Sequence, residues 1–527
     1  MLSTIFSAGL TGIESYTVTV EVDVYPAVSS FQLVGLPDAA VKEANERMRS
    51  ACFNSGYFFP EGGITINLAP ADRRKEGSAL DVPMMLGILR GAGAIKQSVD
   101  TEKRCFTGEL SLSGAVRGIR GALCMCAAAK EAGFREFYAP AANAREAAAV
   151  EGITVYGVEN IRELVDHLNG TKYLTPVRGD RHVFDAREAG GPDLSDVHGQ
   201  AAAKRAAEIA AAGGHNILFI GPPGTGKSML AKRLPSILPP LTFDEAIETT
   251  KIHSVAGTLP EGVSLLTARP FRSPHHTMSA VSLVGGGVIP MPGEISLSHN
   301  GVLFLDELPE FPKIVTDSLR QPLEDRKVTI TRASGRVTFP CSFMRVAAMN
   351  PCRCGYYGHP TKKCTCSPAD VTRYISKISG PLLDRIDIQV ELPSISFDEL
   401  RGGSSGEETS ASVRERVVRA REFMRERLAS VRRDAEARGI KASSIDGVFC
   451  NAQLDAAAIR LTCRASRDAS ALLRDAYDRL GLSARGCDRV MRMARTVADL
   501  DASELIEPQH IAQAVALRSL DRKYWGN

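Results

Sequence analysis

The segment GPPGTGKS, at residues 221–228, has the residue types and spacing of a loop that holds nucleotide phosphates. It lies between a short apolar strand pattern and a helical pattern, which is the context that this motif requires. Its backbone N–H groups can surround the phosphates, while the lysine reaches the β and γ oxygens and the serine ligates Mg²⁺. The alternative is a glycine-rich turn with no ligand. We expect ATP to contact Gly221, Pro222, Pro223, Gly224, Thr225, Gly226, Lys227 and Ser228.

Two further apolar segments end in polar side chains that suit hydrolysis of a bound nucleotide. GVLFLDELPEF (301–311) delivers Asp306, which can complete the Mg²⁺ shell, and Glu307, which can deprotonate the attacking water. MRVAAMN ends in Asn350, which can align that water. The alternatives are an apolar run that ends in two acids by chance and a simple turn asparagine. Together the segments predict hydrolysis as well as binding.

Four cysteines lie close together in NPCRCGYYGHPTKKCTCSP, at residues 350–368, which we call the cysteine loop. Two Cys-x-Cys pairs separated by nine residues can close a tetrahedral zinc site, and the metal would fold a loop that has no core of its own. The pairs are tighter than the spacing usual in zinc sites, so a redox pair or unligated cysteines are the alternatives. The predicted ligands are Cys352, Cys354, Cys364 and Cys366.

The whole chain has 527 residues, which is too long for one hydrophobic core and suggests about three domains. Its 44% hydrophobic and 24% charged residues match an ordinary soluble protein, and no apolar run approaches the roughly 20 residues that cross a bilayer. The N-terminal segment lacks the basic region of a secretory signal, so we expect a cytoplasmic protein with reduced cysteines. The net charge of +3 gives no global attraction to nucleic acid, so such binding would need local patches.

Changes in composition along the chain predict a multidomain α/β protein. Strand and helix patterns alternate at first, and two polar, glycine-rich breaks separate them from a nucleotide-binding region and a helix-rich region. The predicted units are an α/β domain (1–170), a linker (171–195), a nucleotide-binding core that carries the cysteine loop (196–400), a second linker (401–412) and a helical domain (413–527).

Six motifs together resemble the magnesium-chelatase-like AAA+ ATPases of the YifB/ComM group. They are RPFRSPHHTMSAVSLVGGG (269–287), LFLDELPEF, LRQPLEDRKVTITRASG (319–335), VAAMNPC, PLLDRIDI and SARGCDRVMRMARTVADL (483–500). The resemblance covers nearly the whole chain and implies a P-loop core with a doubly wound parallel sheet and a C-terminal helical lid. It also implies a ring, expected to be a hexamer, with ATP between subunits. Members of the ComM type act as DNA motors that drive branch migration during natural transformation.

The resemblance also implies roles for polar residues outside the phosphate loop. Asn350 is similar to sensor 1, and Arg385 in LLDRIDI is similar to the arginine finger that reaches a neighbour's γ-phosphate. A cation supplied across an interface would stabilise transition-state charge and couple hydrolysis to assembly. The alternative is an ordinary ion pair between Arg385 and a nearby aspartate. Arg485 in SARG is similar to the lid arginine, sensor 2, and Arg489 is the competing candidate for that role.

The first 170 residues resemble the C-terminal domain of Lon proteases. FTGELSLSGAVRGI is similar to a strand pair of that fold, and KEGSALDVPMMLGIL is similar to the segment that carries its serine. Proteolysis there needs a serine activated by a lysine base. Ser78 lies near the serine position without the usual flanking pattern, and Lys130 comes too late in the chain to serve as the base. We therefore expect a proteolytically inactive domain.

Two basic segments follow each other in the predicted core. RKVTITRASGRVTFPCSFMR (326–345) is predicted as a hairpin with a Ser334–Gly335 turn, and the cysteine loop adds three cations and two tyrosines without an acid. In a ring both could line the pore, where Lys327, Arg332 and Arg336 would contact DNA phosphates. Solvated charge on a short hairpin is the alternative. The basic residues of the predicted hairpin are Arg326, Lys327, Arg332, Arg336 and Arg345.

These observations favour an ATP-driven ring that translocates on single-stranded or branched DNA, with ATP, Mg²⁺ and Zn²⁺ as cofactors and no membrane partner. The alternative is a chelatase-like or chaperone-like ATPase that remodels a protein partner and uses the first domain as an adaptor. His275 and His276 are interpreted as loop-shaping residues, because no carboxylate or cysteine lies near them in the sequence.

Overall fold

The computed structural model describes residues 1–75, 77–179, 191–260, 262–332, 335–395, 407–438, 442–520 and 524–525. Parts of both predicted linkers (180–190 and 401–406) and Ser334 at the predicted hairpin turn lie outside the described residues.

The N-terminal region is built on a mixed sheet. Its strands are β1 (Leu2–Thr11), β2 (Glu14–Tyr25), β3 (Ser30–Val34), β4 (Gly63–Ala69), β5 (Arg104–Phe106), β6 (Glu109–Leu110), β7 (Val116–Arg117), β8 (Glu136–Pro140), β9 (Thr154–Val158) and β10 (Pro176–Val177). Its helices are α1 (Ala39–Lys42), α2 (Ala44–Asn54), α3 (Asp81–Gly91), α4 (Ala122–Glu131), α5 (Ala141–Ala147) and α6 (Ile161–Leu168). Eight strands pair in the order β10-β9-β8-β5-β1-β2-β4-β3, and β6 pairs with β7.

The apolar alternation of β2 explains how this sheet is covered. Val18, Val20 and Val22 point to one face and are fully buried, since successive side chains in a strand alternate between faces. Helix α3 packs on that face so closely that a Cβ on Gly87 would lie 2.4 Å from Val22 Cγ2. The approach requires a residue without a side chain at this point of the helix.

The middle region contains a parallel sheet. The strands of the middle region, inside and outside this sheet, are β11 (Ile217–Ile220), β12 (Phe271–Arg272), β13 (Gly285–Gly286), β14 (Met291–Pro292), β15 (Val302–Leu305), β16 (Lys327–Arg332), β17 (Gly335–Pro340), β18 (Met344–Met349) and β19 (Ile388–Glu391). Its helices are α7 (Ala201–Gly213), α8 (Lys227–Ala231), α9 (Leu234–Ile237), α10 (Phe243–Ala256), α11 (Ala280–Val284), α12 (Glu294–Leu297), α13 (Lys313–Asp317), α14 (Arg320–Asp325), α15 (Pro368–Ile375) and α16 (Gly380–Leu383).

Five of these strands pair in parallel in the order β12-β15-β18-β11-β19. Every residue of β11, β15 and β18 is buried, as expected for parallel strands that are covered by helices. The predicted parallel sheet of the core is confirmed.

The C-terminal region is helical, as predicted. Its helices are α17 (Ser410–Ala437), α18 (Ala456–Thr462), α19 (Arg467–Leu480), α20 (Ala484–Leu500) and α21 (Pro508–Ala516). Helix α17 buries a stripe at helical spacing, Val413, Val417, Ala420, Met424 and Leu428, in one core that it shares with α7 and α20. Its charged residues lie mainly on the other faces. No helix among the described residues is both long and apolar enough to cross a membrane.

The basic hairpin is shorter than the sequence pattern predicts. β16 and β17 pair antiparallel between Lys327 and Pro340, and their inner face packs into the core through Val328, Ile330, Val337 and Phe339. The assignment of Arg345 to this hairpin is wrong. Arg345 lies on the central strand β18, where it is 1% exposed, because the apolar run MRVAAM continues the parallel sheet instead of the hairpin.

The N-terminal region packs against the core behind this hairpin. Gly12, in the turn between β1 and β2, has a positive φ of +65°, and a Cβ there would lie 2.2 Å from Val337 Cγ1. The next residue, Ile13, packs on the same apolar cluster as the hairpin. A second contact joins α4 to α10, where Gly121 N donates to Ser254 O at 3.3 Å. The hairpin is therefore supported from the side of the N-terminal sheet.

A buried charge network lies at the amino-terminal edge of the parallel sheet. Asp387, just before β19, accepts a hydrogen bond from Asn216 N at 3.1 Å and lies 3.9 Å from Arg489 Nε. Burial opposes ionisation of this carboxyl, but His215 and the neighbouring arginines hold its pKa below the usual value. Burial lowers the pKa of Arg345 to about 10, and Asp387 opposes that shift. Asp387 is thus the counter-charge for several buried cations.

We expect Asp387→Asn to destabilise this part of the fold, because the substitution leaves buried cations without their counter-charge. The loss should be about 3–5 kcal/mol, measured by urea unfolding. The control is Asp384→Asn, since the Asp384 side chain is 59% exposed and its removal should cost less than about 1 kcal/mol. Equal effects of the two substitutions would contradict the role of Asp387.

Candidate nucleotide-binding site and metal centre

The register of the parallel sheet brings three predicted segments to one edge. β11, β18 and β15 are neighbours, and the pairs Ile220–Met349 and Leu305–Ala347 align their carboxyl ends. Each strand leads directly into a predicted site residue: Gly221 after β11, Asp306 after β15 and Asn350 after β18. Parallel pairing therefore positions the candidate site.

The phosphate loop has the backbone conformation that its glycines allow. Gly224 and Gly226 have φ values of +82° and +87°, which side-chain-bearing residues rarely adopt. A Cβ on Gly221 would lie 2.5 Å from Leu392 O, so close approach of the residue that follows β19 excludes a side chain there. Thr225 Oγ1 donates to Pro222 O at 3.0 Å and closes the turn.

Lys227 is held at the centre of this loop. Its Nζ donates to Gly221 O at 2.7 Å, to Pro222 O at 2.8 Å and to Asn350 Oδ1 at 3.2 Å. Burial lowers the pKa of Lys227 to about 8, although Asp306 and Glu307 oppose the shift. A partly desolvated ammonium pairs favourably with phosphate oxygens, which could take the place of the backbone acceptors.

The predicted Mg²⁺ ligands lie in contact with each other. Ser228 Oγ donates to Asp306 Oδ2 at 2.7 Å, so a hydroxyl and a carboxylate converge beside the phosphate loop. Oxygen ligands of this kind, with phosphate oxygens and water, suit Mg²⁺. The two residues therefore fit a magnesium ion that ATP brings to the site.

Glu307 has a partner that the sequence did not reveal. It has a positive φ of +53°, its N–H donates to Asp306 Oδ1 at 3.0 Å, and its Oε2 lies 3.4 Å from His276 Nδ1. The interpretation of His276 as merely loop-shaping missed this contact, because the two residues are far apart in the sequence. His275 instead contacts Thr277 Oγ1 at 2.9 Å. The contact places His276 where it can influence the orientation of the Glu307 carboxylate.

Arg385, the predicted arginine finger, does not lie near the phosphate loop of its own chain. Arg385 precedes β19 at the amino-terminal edge of the sheet, where Asn216 Nδ2 donates to Arg385 O at 3.1 Å. The Arg385 guanidinium pairs with Glu324, not with Asp384 or Asp387. Arg385 therefore lies at the opposite edge of the sheet from the phosphate loop of its own chain.

The two candidates for sensor 2 differ in their surroundings. Arg489 is almost fully buried on α20 and lies 3.9 Å from both Asp384 and Asp387. Arg485 lies one turn earlier on the same helix and is exposed. The structure brings Arg489, but not Arg485, into the charge network around Asp387.

The four predicted metal ligands come together in one cluster. Their sulfur atoms all lie within 4.8 Å of one another, and Cys352 Sγ is 3.3 Å from Cys354 Sγ and 3.7 Å from Cys364 Sγ. A tetrahedral zinc site with bonds of about 2.3 Å has sulfur atoms about 3.8 Å apart. All four thiols, including Cys366, are free of disulfide bonds. The cluster fits a thiophilic metal such as zinc.

The predicted DNA-contacting residues point to solvent. Lys327, Arg332 and Arg336 are exposed on the hairpin. The Arg332 guanidinium also lies against β13, where a Cβ on Gly286 would be 3.0 Å from Arg332 Nη2. The turn that follows β13 carries the exposed apolar residue Val288. The positively charged surface of the hairpin thus lies next to β13, and the turn after β13 is apolar.

Ser78 in the N-terminal region has a carboxylate partner. Its hydroxyl donates to Glu109 Oε2. Among the described residues no lysine donates a hydrogen bond to Ser78. Lys130 lies near Gly152, and Lys75 Nζ donates to the backbone carbonyls of Pro70 and Arg73. Among the described residues, the hydrogen bond of the Ser78 hydroxyl thus goes to a carboxylate.

Three family models match successive parts of the chain. The model described as magnesium chelatase, subunit ChlI, matches residues 193–400. The model of subunit ChlI of Mg-chelatase matches residues 20–143, and the model of the ChlI C-terminal region matches residues 407–518.

Relatives match over nearly their entire length. The chain is 40% identical over 524 residues to the competence protein ComM of Haemophilus influenzae, with 99% of this chain and 98% of that protein covered. It is 40% identical over 522 residues to the uncharacterised protein YifB of Escherichia coli, with the same coverage. An uncharacterised Mycobacterium tuberculosis protein is 39% identical over 518 residues, or 97% of this chain and 98% of that one. The chain therefore belongs to the magnesium-chelatase-like ATPase family, in its YifB/ComM branch.

Proposed function

We propose that the protein is an ATP-hydrolysing motor that forms a ring and acts on DNA. The observation that carries the proposal is the convergence of Lys227, the Ser228–Asp306 pair, Glu307 and Asn350 at one edge of the parallel sheet. Bound Mg²⁺ would neutralise charge on the ATP phosphates. The loop backbone and Lys227 bind the phosphates, Ser228 and Asp306 hold the metal, Asn350 aligns the water, and Glu307 takes its proton.

We propose that the arginines act between subunits. Because Arg385 lies at the sheet edge opposite the phosphate loop, it would reach the nucleotide of a neighbouring copy, and sensor 2 would be Arg485 or the competing candidate Arg489. An arginine supplied in this way stabilises the charge that develops on the transferred phosphoryl group. In a closed ring, which we take to be a hexamer, every ATP site contains the phosphate loop of one subunit and an arginine of the neighbouring subunit.

We propose that the DNA contact is made by the basic hairpin. Lys327, Arg332 and Arg336 provide exposed positive charge on a rigidly packed element, which suits contact with a phosphate backbone whatever its sequence. The Haemophilus influenzae relative is named a competence protein, which supports the proposed role in natural transformation. The same proposal places the protein in the cytoplasm.

We also propose that zinc occupies the four-cysteine cluster and that the N-terminal domain is a Lon-like scaffold without protease activity. The sulfur–sulfur distances support the metal. The Ser78 hydroxyl donates to the Glu109 carboxylate and not to a lysine, which supports the loss of Lon-type protease activity because that activity uses a lysine base. We propose the domains 1–170, 196–400 and 413–527, and the three family matches, at 20–143, 193–400 and 407–518, support a division into three parts.

A second candidate function is remodelling of a protein partner. Phe53 and Phe58 are 80% and 70% exposed on the N-terminal domain, and Asn54, next to Phe53 in the chain, donates from Nδ2 to the carbonyl of exposed Leu112 at 2.7 Å. Exposed aromatic residues of this kind suit a protein interface. Stimulation of ATP hydrolysis by forked or structured DNA, and not by protein alone, would decide in favour of the DNA motor.

For the magnesium site, we expect Asp306→Asn to remove most of the dependence of nucleotide affinity on Mg²⁺. The substitution keeps the shape of the side chain but removes the charge that holds the ion. A fluorescent ATP analogue titrated with Mg²⁺ and with EDTA should give an affinity ratio near one. Glu307→Gln is the control and should keep the ratio of the unmodified protein. A full Mg²⁺ effect in Asp306→Asn would assign the metal to other residues.

For the DNA contact, we expect the double substitution Arg332→Ala and Arg336→Ala to lower the salt dependence of DNA binding. The slope of log affinity against log salt should fall by about one to two units, because two phosphate contacts are lost. Basal hydrolysis should survive, while DNA stimulation and branch migration should not. The control is Arg474→Ala with Arg479→Ala on α19, which removes two exposed cations elsewhere. If the double variant drives branch migration as fast as the unmodified protein, the hairpin does not make the DNA contact.

For the shared ATP site, we expect mixtures of Arg385→Ala and Glu307→Gln subunits to regain hydrolysis that each variant lacks. Some interfaces then combine an intact Glu307 with an intact Arg385 from the neighbour. Mixing either variant with the doubly substituted chain is the control and should restore nothing. Rings that form at every mixing ratio without activity would make Arg385 a structural residue, held by Glu324.

A further inference from the structure

We propose that the metal centre of the cysteine loop positions the phosphate loop, so that nucleotide binding and hydrolysis depend on the bound metal. The proposal rests on the proposed function of the ATP site and assigns a regulator to it. It gives the four cysteines a purpose beyond folding their own loop, and it makes Gly355 a positioning residue.

The first link is the chain itself. Strand β18 ends at Met349 and leads through Asn350 and Pro351 to Cys352, whose side chain is fully buried in the core beside the sheet. The first proposed metal ligand therefore lies two residues from Asn350. Asn350 in turn accepts the hydrogen bond from Lys227 Nζ at 3.2 Å. Displacement of Cys352 would pull directly on the residue that holds this lysine.

The second link is a contact between two loops. Gly355 has a φ of +86° and lies against the phosphate loop: a Cβ there would be 2.6 Å from Pro223 Cδ and 3.9 Å from Asn350 Cγ. The turn that presents it is closed by Gly355 N, which donates to Cys352 O at 3.0 Å. The turn from Cys352 to Gly355, which contains the first two cysteines, thus supports both Pro223 and Asn350.

The third link is what keeps this turn in place. Between β18 and α15 the described chain has neither helix nor strand, so few backbone hydrogen bonds hold the cysteine loop together. Besides the bond from Lys227 to Asn350, a side-chain bond at 2.8 Å joins His359 Nε2 of the loop to Ser394 Oγ, which lies after β19. A metal bound by all four thiolates would tie Cys352 and Cys354 to Cys364 and Cys366. Without the metal, the turn that contacts Pro223 would lose the bonds that hold Cys352 and Cys354 to the rest of the loop.

The chain offers a matched pair of substitutions that leave every cysteine intact. Gly355 and Gly358 are in the same loop with similar φ values of +86° and +74°, so an alanine strains the backbone at either position. Only the methyl group at 355 would meet Pro223, because nothing lies within 4 Å of a Cβ on Gly358. We expect both variants to bind one zinc per chain, and Gly355→Ala to weaken binding of a fluorescent ATP analogue by about tenfold more than Gly358→Ala.

A double-mutant cycle separates positioning from general damage to the loop. If Gly355→Ala acts by pressing on the proline ring, its effect should largely disappear when it is introduced into Pro223→Ala, which has no ring. An effect of the same size in both backgrounds would overturn the proposed contact.

Removal of the metal tests the other half of the proposal. We expect the full-length protein, stripped of zinc by a chelator, to lose nucleotide affinity and basal hydrolysis at least tenfold, and to regain both when Zn²⁺ is added back. Metal-free protein that binds the ATP analogue as tightly as loaded protein would overturn the proposal. Both measurements omit DNA, so failure of the DNA-motor function does not affect them. Nucleotide binding still reports the coupling if hydrolysis itself is absent.

Discussion

The parallel pairing of β18 between β15 and β11 is the constraint on which the rest of the structure depends. Its register aligns three carboxyl ends, so that Lys227, Asp306 and Asn350 meet although they are far apart in the sequence. The same strand carries Arg345 at its amino end, inside the network around Asp387. A shift of one residue would invert every side chain of β18 and break the site and the network together.

The residues proposed to act on ATP lie in two groups, at opposite edges of the parallel sheet. The carboxyl edge holds the groups that bind phosphates and polarise water, while the amino edge holds Arg385 and Arg489. The two sets cannot act on the same nucleotide within one chain. Under the proposed function this separation makes assembly a requirement for hydrolysis, and Asp387 then has two tasks. It stabilises the fold, and it fixes the start of β19 next to Arg385.

Sequence reasoning identified the features that depend on local patterns. The phosphate loop, the parallel sheet, the helical C-terminal region and the cysteine cluster all follow from short-range spacing of residue types. It could not identify contacts between distant segments, such as His276 with Glu307 or Gly355 with Pro223. Arg345 was misplaced for a related reason. Basic residues in a hairpin and in a buried strand look alike in the sequence, and only the sheet register shows that this one lies on a buried strand, where Asp387 influences its pKa.

The packing of the hairpin suggests how the proposed motor would transmit force. Its inner residues Ile330 and Phe339 belong to the same apolar core as Leu305 and Met349, the last residues of the strands that lead to Asp306 and Asn350. Close-packed interiors transmit displacement, since side chains cannot move independently without opening cavities. The turn at Gly12 blocks movement of the hairpin towards the N-terminal sheet. Force applied to the exposed arginines would therefore reach the carboxyl edge of the sheet, where ATP is proposed to bind, and the N-terminal domain would act as the support against which it is applied.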